Sequence, residues 1–578
     1  YSFDVVYEQA GANEVVSLTY TSDDLDDYAS IALDRNSASQ ESDVHLTITD
    51  AQLNIDPTAE DIVIFDVTTD SEGMSFTARS ATDTYNEWSN TFDDNGKLII
   101  NYDTQSIGTN VLIDKVTDDD GTASKKLVFY EYGENSGIFV NTDDNNESNL
   151  EVNIDAKRGT TATINYNDEA QSFVVANDFG VIDMDESSVG DEWNSGEAIT
   201  VTLIDQDLNK NTLSNEDLLL VNTTNTHLVP SLQIGNPLSV DNTSGDVSGT
   251  TSFSKISYYS NSSLNGIGNS AVFDIETGYS GVDFDGIDSA NTYFNFDFTT
   301  FGTNSTNTIS EVCLVNSTAD IGCGAAGVAK GIVKLTGVTG QTDTVDLRVE
   351  VETTQDFGTN TLVSVPFVAD VFSYGDGVNN AIYRLQLEES GDNTATFEGT
   401  IEYTMLNQIN IDLDATYTNL ATIDADIGVI VEQDMTDEDS PRVNYLDLGA
   451  DGVSTQIADQ LEAPTHSGVV SLDSDNYKIA DTVVITLNDQ DMNTDSELID
   501  VYTTNVNDLV GAAAATDLAS GLVLDITFDD VTWVNTNDDG DCTNDGATGD
   551  DGLEATGFTL VETDSQSGIF TGSFQVPT

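Results

Sequence analysis

Apolar and polar residues alternate along most of this chain, as in Val201-Thr202-Leu203-Ile204 and Val483-Val484-Ile485-Thr486-Leu487. Such runs, separated by clusters of Asn, Asp and Gly, predict half-buried strands, because a strand turns successive side chains to opposite faces. No segment keeps a helical period over several turns; only Ile457 to Glu462 and Ala512 to Ala519 suit a turn or two of helix. At 578 residues the chain is too long for one core and long enough for three to five domains. The expected fold is all-β, a tandem array of Ig-like antiparallel β-sandwich domains.

The pattern also repeats. Each unit opens on an apolar pair and an aspartate: Ile31 to Asp34, Val181 to Asp185, Val469 to Asp473. A second strand follows and ends in an acidic loop, in the stretches starting at His45, Val201 and Ile485. Asp34 and Asp50 are 16 residues apart, as are Asp473 and Asp489, whereas Asp185 and Asp205 are 20 apart. Later in each unit a Glu precedes a Phe by eight residues, at Glu131/Phe139, Glu276/Phe284, Glu389/Phe397 and Glu562/Phe570. Closing strands follow as VSLTYTSD from Val16, ATINYND from Ala162 and PRVNYLD from Pro441.

These landmarks divide the chain into the closing strands of a preceding domain (1–28), a sandwich (29–170), and a sandwich with a Ser/Gly/Asn-rich insertion (171–328). A degenerate sandwich (329–462) and a sandwich lacking its last strand (463–578) complete the division. Tyr1 to Val5 aligns with Gly572 to Val576, so the sequence enters one repeat and leaves another between strands. Either the chain is a piece of a longer protein, the reading favoured here, or neighbouring copies complete one another by donating strands.

Charge restricts the partners. With 103 Asp and Glu against 16 Lys and Arg, the net charge is −87, which repels nucleic acid and anionic lipid surfaces. Self-repulsion at that density opposes compact folding unless something offsets it. Concentrated salt is one agent, since the Debye length falls from about 8 Å at physiological strength to about 3 Å at 1 M. Bound divalent cations are another. No 18-residue apolar run marks a membrane segment. Of three cysteines, Cys313 and Cys323 flank a turn-like run and suit a loop disulfide in an oxidising compartment, leaving Cys542 over.

The acidic loops hold the candidate chemistry. Asp205, Asp207, Asn209 and Asn211 alternate along one loop, and Asp489, Asp491, Asn493 and Asp495 along another. Oxygen ligands on alternate residues of a tight loop suit a hard cation, most simply Ca2+ with Mg2+ as the alternative. The first copy, with Asp50, Asn54 and Asp56, has Gln52 in place of the second aspartate. Asn537, Asp539 and Asp541 form a further oxygen-dense candidate. Asp and Asn also favour turns for local reasons, which is the competing explanation. The four Glu residues preceding Phe suit exposed turns better than ligand positions.

Catalytic patterns are missing from the sequence: His45, His227 and His466 fall in different units, and no HExxH, GxSxG or phosphate-cradling loop occurs. No enzymatic function is expected.

The D-x-D-x-N loops after V-x-L strands, the E-T-x-x-S-G-x-F turn from Glu562 to Phe570, and the V-N-Y-x-D closing strands resemble the S-layer proteins of ammonia-oxidising archaea. The resemblance implies a secreted protein of several Ig-like domains, assembled with copies of itself and with divalent cations into a porous lattice on the cell exterior. Acidic pores would concentrate small cations, ammonium included, and repel anions. A calcium-rigidified extracellular adhesin or stalk is the alternative that the same loops allow.

Overall fold

The computed structural model describes residues 2–19, 28–66, 76–79, 98–102, 111–114, 126–167, 169–190, 192–220, 228–235, 237–239, 256–257, 270–279, 292–297, 308–315, 320–325, 327–336, 345–352, 364–365, 368–374, 380–407, 409–411, 413–495, 497–505, 508–509 and 558–576. The fold is all-β, built of sheets whose strands run almost entirely antiparallel.

The repeat seen in the sequence is a repeat of topology. In the first unit one sheet has the order Ser30–Leu33, Leu46–Thr49, Ile138–Val140, Lys126–Glu131, Ile62–Asp66. In the second the order is Val181–Met184, Ala198–Ile204, Thr396–Met405, Leu387–Glu389, Asp217–Leu218. The third repeats it with Val469–Leu472, Thr482–Asn488, Ile569–Gln575, Phe558–Glu562, Val501–Asn505. Each order reads opening strand, loop strand, strand after the Glu turn, Glu strand, strand after the loop. Alternation decides the packing: Leu46, Ile48, Phe129 and Phe139 of the first unit turn inward to meet Ile100, Ile164, Tyr166 and Phe173 of a facing four-stranded sheet. That two-sheet core is a sandwich.

The division expected at residues 328 and 329 cuts through sheets. Ala198–Ile204 pairs with Thr396–Met405 along its whole length, and Ser231–Ile234 lies between Ala381–Leu385 and Arg442–Leu448. The proposed degenerate sandwich is therefore the second half of the second unit, displaced along the sequence by a long insertion. Its supposed opening strands belong to the insertion: Lys330–Leu335 pairs with Thr292–Asp297, and Val345–Glu352 with Ser270–Tyr279 and Thr308–Val315. Glu276 lies inside the strand Ser270–Tyr279; Phe284 is outside the described residues. Insertion and host are tied by a fully buried ion pair, Arg384 to Asp370 at 2.7 and 3.0 Å.

Other local expectations also change. Ile457 lies in the strand Ser454–Gln460, where Tyr445 is its partner, so tertiary pairing overrides the helical reading. Ala512 to Ala519 lies outside the described residues. The described α-helix, Asp414–Thr418, spans five residues and buries Tyr417. Cys313 and Cys323 face each other on paired strands and are disulfide-bonded. Among the described residues no helix is long and apolar enough to cross a membrane.

Candidate functional site

Three buried carboxylates organise the acidic end of each unit. Glu131, Glu389 and Glu562, expected on exposed turns, are 2–4% exposed. One oxygen of each accepts two successive backbone N–H groups of the following turn: Ser136 and Gly137, Thr394 and Ala395, Ser567 and Gly568, all at 2.7–3.0 Å. The other oxygen accepts the N–H of an acidic residue across the sheet: Asp61, Glu216 or Asp500, at 3.1–3.2 Å. That residue in turn holds the acidic loop. Asp61 accepts from the Asp56 N–H, Glu216 from the Asn211 N–H, and Asp500 from the Thr494 N–H and hydroxyl. Glutamate suits the first position because an ionised carboxylate is acceptor-only and can satisfy several buried donors at once. The turn closes on a left-handed residue, Gly137, Ala395 or Gly568. At Gly568 a Cβ would stand 2.4 Å from the Gln490 side chain, so glycine suits that position on both counts.

The first aspartate of each loop is occupied by the fold itself. Asp50 accepts from the Gln52 N–H at 2.8 Å and the Tyr166 hydroxyl at 2.6 Å. Asp205 accepts from the Asp207 N–H at 2.9 Å and the Tyr445 hydroxyl at 2.7 Å. Both tyrosines lie in the closing strands singled out by the sequence. Asp489 accepts from the Asp491 N–H, and among the described residues no tyrosine reaches it. Of the other expected ligands, Asp56 is exposed and bonds Thr58, whose donors lower its pKa; Asp495 caps the Glu497 N–H. Asn537, Asp539 and Asp541 lie outside the described residues. Among the described residues, no three carboxylates of these loops bring oxygens within 4.8 Å of one another.

The loops also form the joints between units. In the second unit's loop the Asp207 carbonyl accepts from Ser39 Oγ, and the Asn209 carbonyl from the Arg35 guanidinium, both in the first unit. In the third unit's loop the carbonyls of the same two positions are taken by the second unit: Asp491 by Asn407 Nδ2 at 3.0 Å, Asn493 by Ser195 Oγ at 2.7 Å. The middle aspartate grips the connecting segment. Asp207 accepts from Asn177 Nδ2 and the Asp178 N–H; Asp491 accepts from the His466 N–H. His45 also serves the first joint, its Nε2 2.9 Å from Asn211 Oδ1. In the second joint Ile409 enters the third unit's core beside Met492 and Phe570.

Electrostatics separates the two joints. Lys210 is half-buried in the first, its ammonium donating to Ser39 Oγ at 2.7 Å and the Gln40 carbonyl at 2.8 Å. Burial lowers its pKa, opposed by the nearby charges of Asp207, Glu41 and Asp205. Arg35 adds a second cation, bonded to the carbonyls of Asn209, Lys210 and Asp43. Burial nevertheless pushes Asp207 up to about 7, and burial together with Glu389 pushes Glu216 up to about 8. In the second joint burial raises Asp489, and burial then the charges of Asp495, Glu497 and Asp500 push Glu402 up to about 7. Among the described residues its basic group at the loop is His466, 3.2 Å from Asp491 and 3.5 Å from Glu192.

The spacing of eight residues marks all three Glu clamps but also recurs at Glu276, within a strand, so it did not by itself identify a clamp. Lys210, Arg35 and Glu402 carried no comparable signal.

No protein-family model matches this chain, and no curated protein matches its sequence. Among solved structures, a marsupial T cell receptor is 8% identical over 84% of this chain and 85% of its own, with a TM-score of 0.11. Trypsin-activated alpha-2-macroglobulin from Escherichia coli is 10% identical over 99% of this chain and 33% of its own, at 0.12. Domains 1–6 of the surface layer protein SbsC are 11% identical over 84% of this chain and 54% of their own, at 0.08. The chain thus spans a third of the macroglobulin and about half of the SbsC fragment. Scores of this size establish no shared family.

Proposed function

We propose that this chain is a structural component of an extracellular surface layer, a row of β units fixed end to end by their acidic loops. The observation that carries this reading is the reuse of one loop as a joint. In two successive units the same two carbonyls and the same aspartate bind the unit and the connecting segment that precede them. A loop spent on fixing neighbours serves geometry, and no catalysis is assigned to it. The partners of this reading are further copies of the chain and divalent cations. In a lattice of the kind that the sequence motifs resemble, a charge of −87 per chain would admit small cations and repel anions.

Electron microscopy of the assembled protein with CaCl2 and then with EDTA tests the reading. Ordered planar arrays that dissolve on chelation support it. Isolated filaments would overturn it in favour of a stalk or adhesin, for which rigid joints are equally useful. Equal passage of matched small cations and anions through the sheet would remove the selectivity.

A further inference from the structure

The three loops share an oxygen that the fold leaves unbonded. Asn54, Asn209 and Asn493 hold the fifth position of each loop, and the side-chain Oδ1 of each is buried without a hydrogen-bond partner. In the first two units the amide nitrogen is satisfied: Asn54 donates to Asn135 and Asn209 to Asn393, both at 2.8 Å. Asn135 and Asn393 are the fourth residues after the clamp glutamates, a position that Gln566 fills in the third unit. There Asn493, 0% exposed, has neither amide atom bonded. It is packed so closely on Gly196 of the second unit that a Cβ there would lie 2.8 Å away. An unpaired buried polar group is costly, and of the three only Asn493 has its whole amide unpaired, which points to a ligand at the third loop.

The charge around Asn493 has the same sense. Glu402 stands opposite Ala198 in the second unit's sheet, next to Tyr403, whose carbonyl accepts the N–H of the same Gly196, and the charges of Asp495, Glu497 and Asp500 act on it. None of the ion pairs between described residues includes any of these four carboxylates. The residue five places after the first aspartate is Lys210 in the second unit and Thr494 in the third. Where the first joint has a tethered ammonium, the second has a hydroxyl bonded to Asp500.

We propose that the second joint binds a divalent, calcium-type cation through Asn493 Oδ1 and the carboxylates of Glu402 and Asp495, and that this ion replaces the lysine of the first joint. The donors are all oxygen, as a hard cation requires. Among the described residues no three carboxylates converge within 4.8 Å, so water would complete the ion's shell. The proposal rests on the joint and not on lattice formation: binding without sheets leaves it standing, and sheets without binding overturn it alone.

Calorimetric titration of the full chain with CaCl2, after removal of metal with EDTA and in about 0.15 M KCl to screen diffuse attraction, tests the proposal. A saturable site is expected, weakened tenfold or more in Glu402→Gln, a half-buried position whose change leaves the sheet intact. Asn493→Asp, which adds charge at the ligand, tightens binding, and Thr494→Lys abolishes the site. Wild-type isotherms for Glu402→Gln and Asn493→Asp, or no saturable binding by the parent chain, would overturn it.

Discussion

The two joints are built on one plan and differ in their source of positive charge. Both use the carbonyls of the third and fifth loop residues, and both grip the connecting segment with the middle aspartate. The first joint encloses Lys210 and Arg35, whereas the second gathers Glu402, Asp495, Glu497 and Asp500 with a histidine at its margin. Backbone geometry can thus be repeated while the electrostatics is solved separately each time. On the reading proposed above, the lysine makes the first joint self-sufficient, and its absence makes the second joint depend on a cation from solution.

The largest effect is expected where the joints are alike. Glu389→Ala and Glu562→Ala each remove three backbone hydrogen bonds to a buried carboxylate, and charge-assisted bonds contribute about 1.5–3 kcal/mol each. A loss of about 4 kcal/mol or more is expected for either unit, read as an early transition in urea unfolding. A loss at one unit only would break the shared plan.

A smaller, more discriminating effect comes from Lys210→Thr, which gives the first joint the residue of the second. The two hydrogen bonds of the ammonium predict a loss of about 2–3 kcal/mol in EDTA, partly restored by CaCl2. Stability insensitive to both the substitution and the ion would deny that charge distinguishes the joints.

The smallest effect is pH dependence. Glu216 is held well above its ordinary value of 4.5, at about 8. The folded state therefore binds its proton more tightly than the unfolded chain does. Its contribution is fully present below about 4.5 and is lost as pH rises through about 8. Solvent reaching a partly buried group lessens the effect, so a shallow decline in melting temperature from pH 5 to pH 8 is expected. Glu216→Gln should flatten it; an unchanged slope would move the titration elsewhere in the chain.

Much of this was legible in the chain. Period-two alternation predicted the strands, and the recurring landmarks mark the same five strands in three sheets. The second unit was misdivided because pairing between Ala198–Ile204 and Thr396–Met405 spans an insertion that makes its own β pattern, and alternation does not say which strands are partners. The loops were legible as oxygen-rich, but oxygen spacing along a sequence does not show which of those oxygens the fold already uses. Tyr166 and Tyr445, visible only as strand landmarks, occupy the first aspartates of two loops. The remaining oxygens on Asn54, Asn209 and Asn493 emerge only once every donor has been placed.

Backbone hydrogen exchange of the full chain in EDTA and in CaCl2, at constant ionic strength, tests the central claim most directly. Protection gained with calcium at residues 489–495, with residues 205–211 equally protected in both conditions, is the predicted result. Equal gains at both loops, or none at either, would contradict the account.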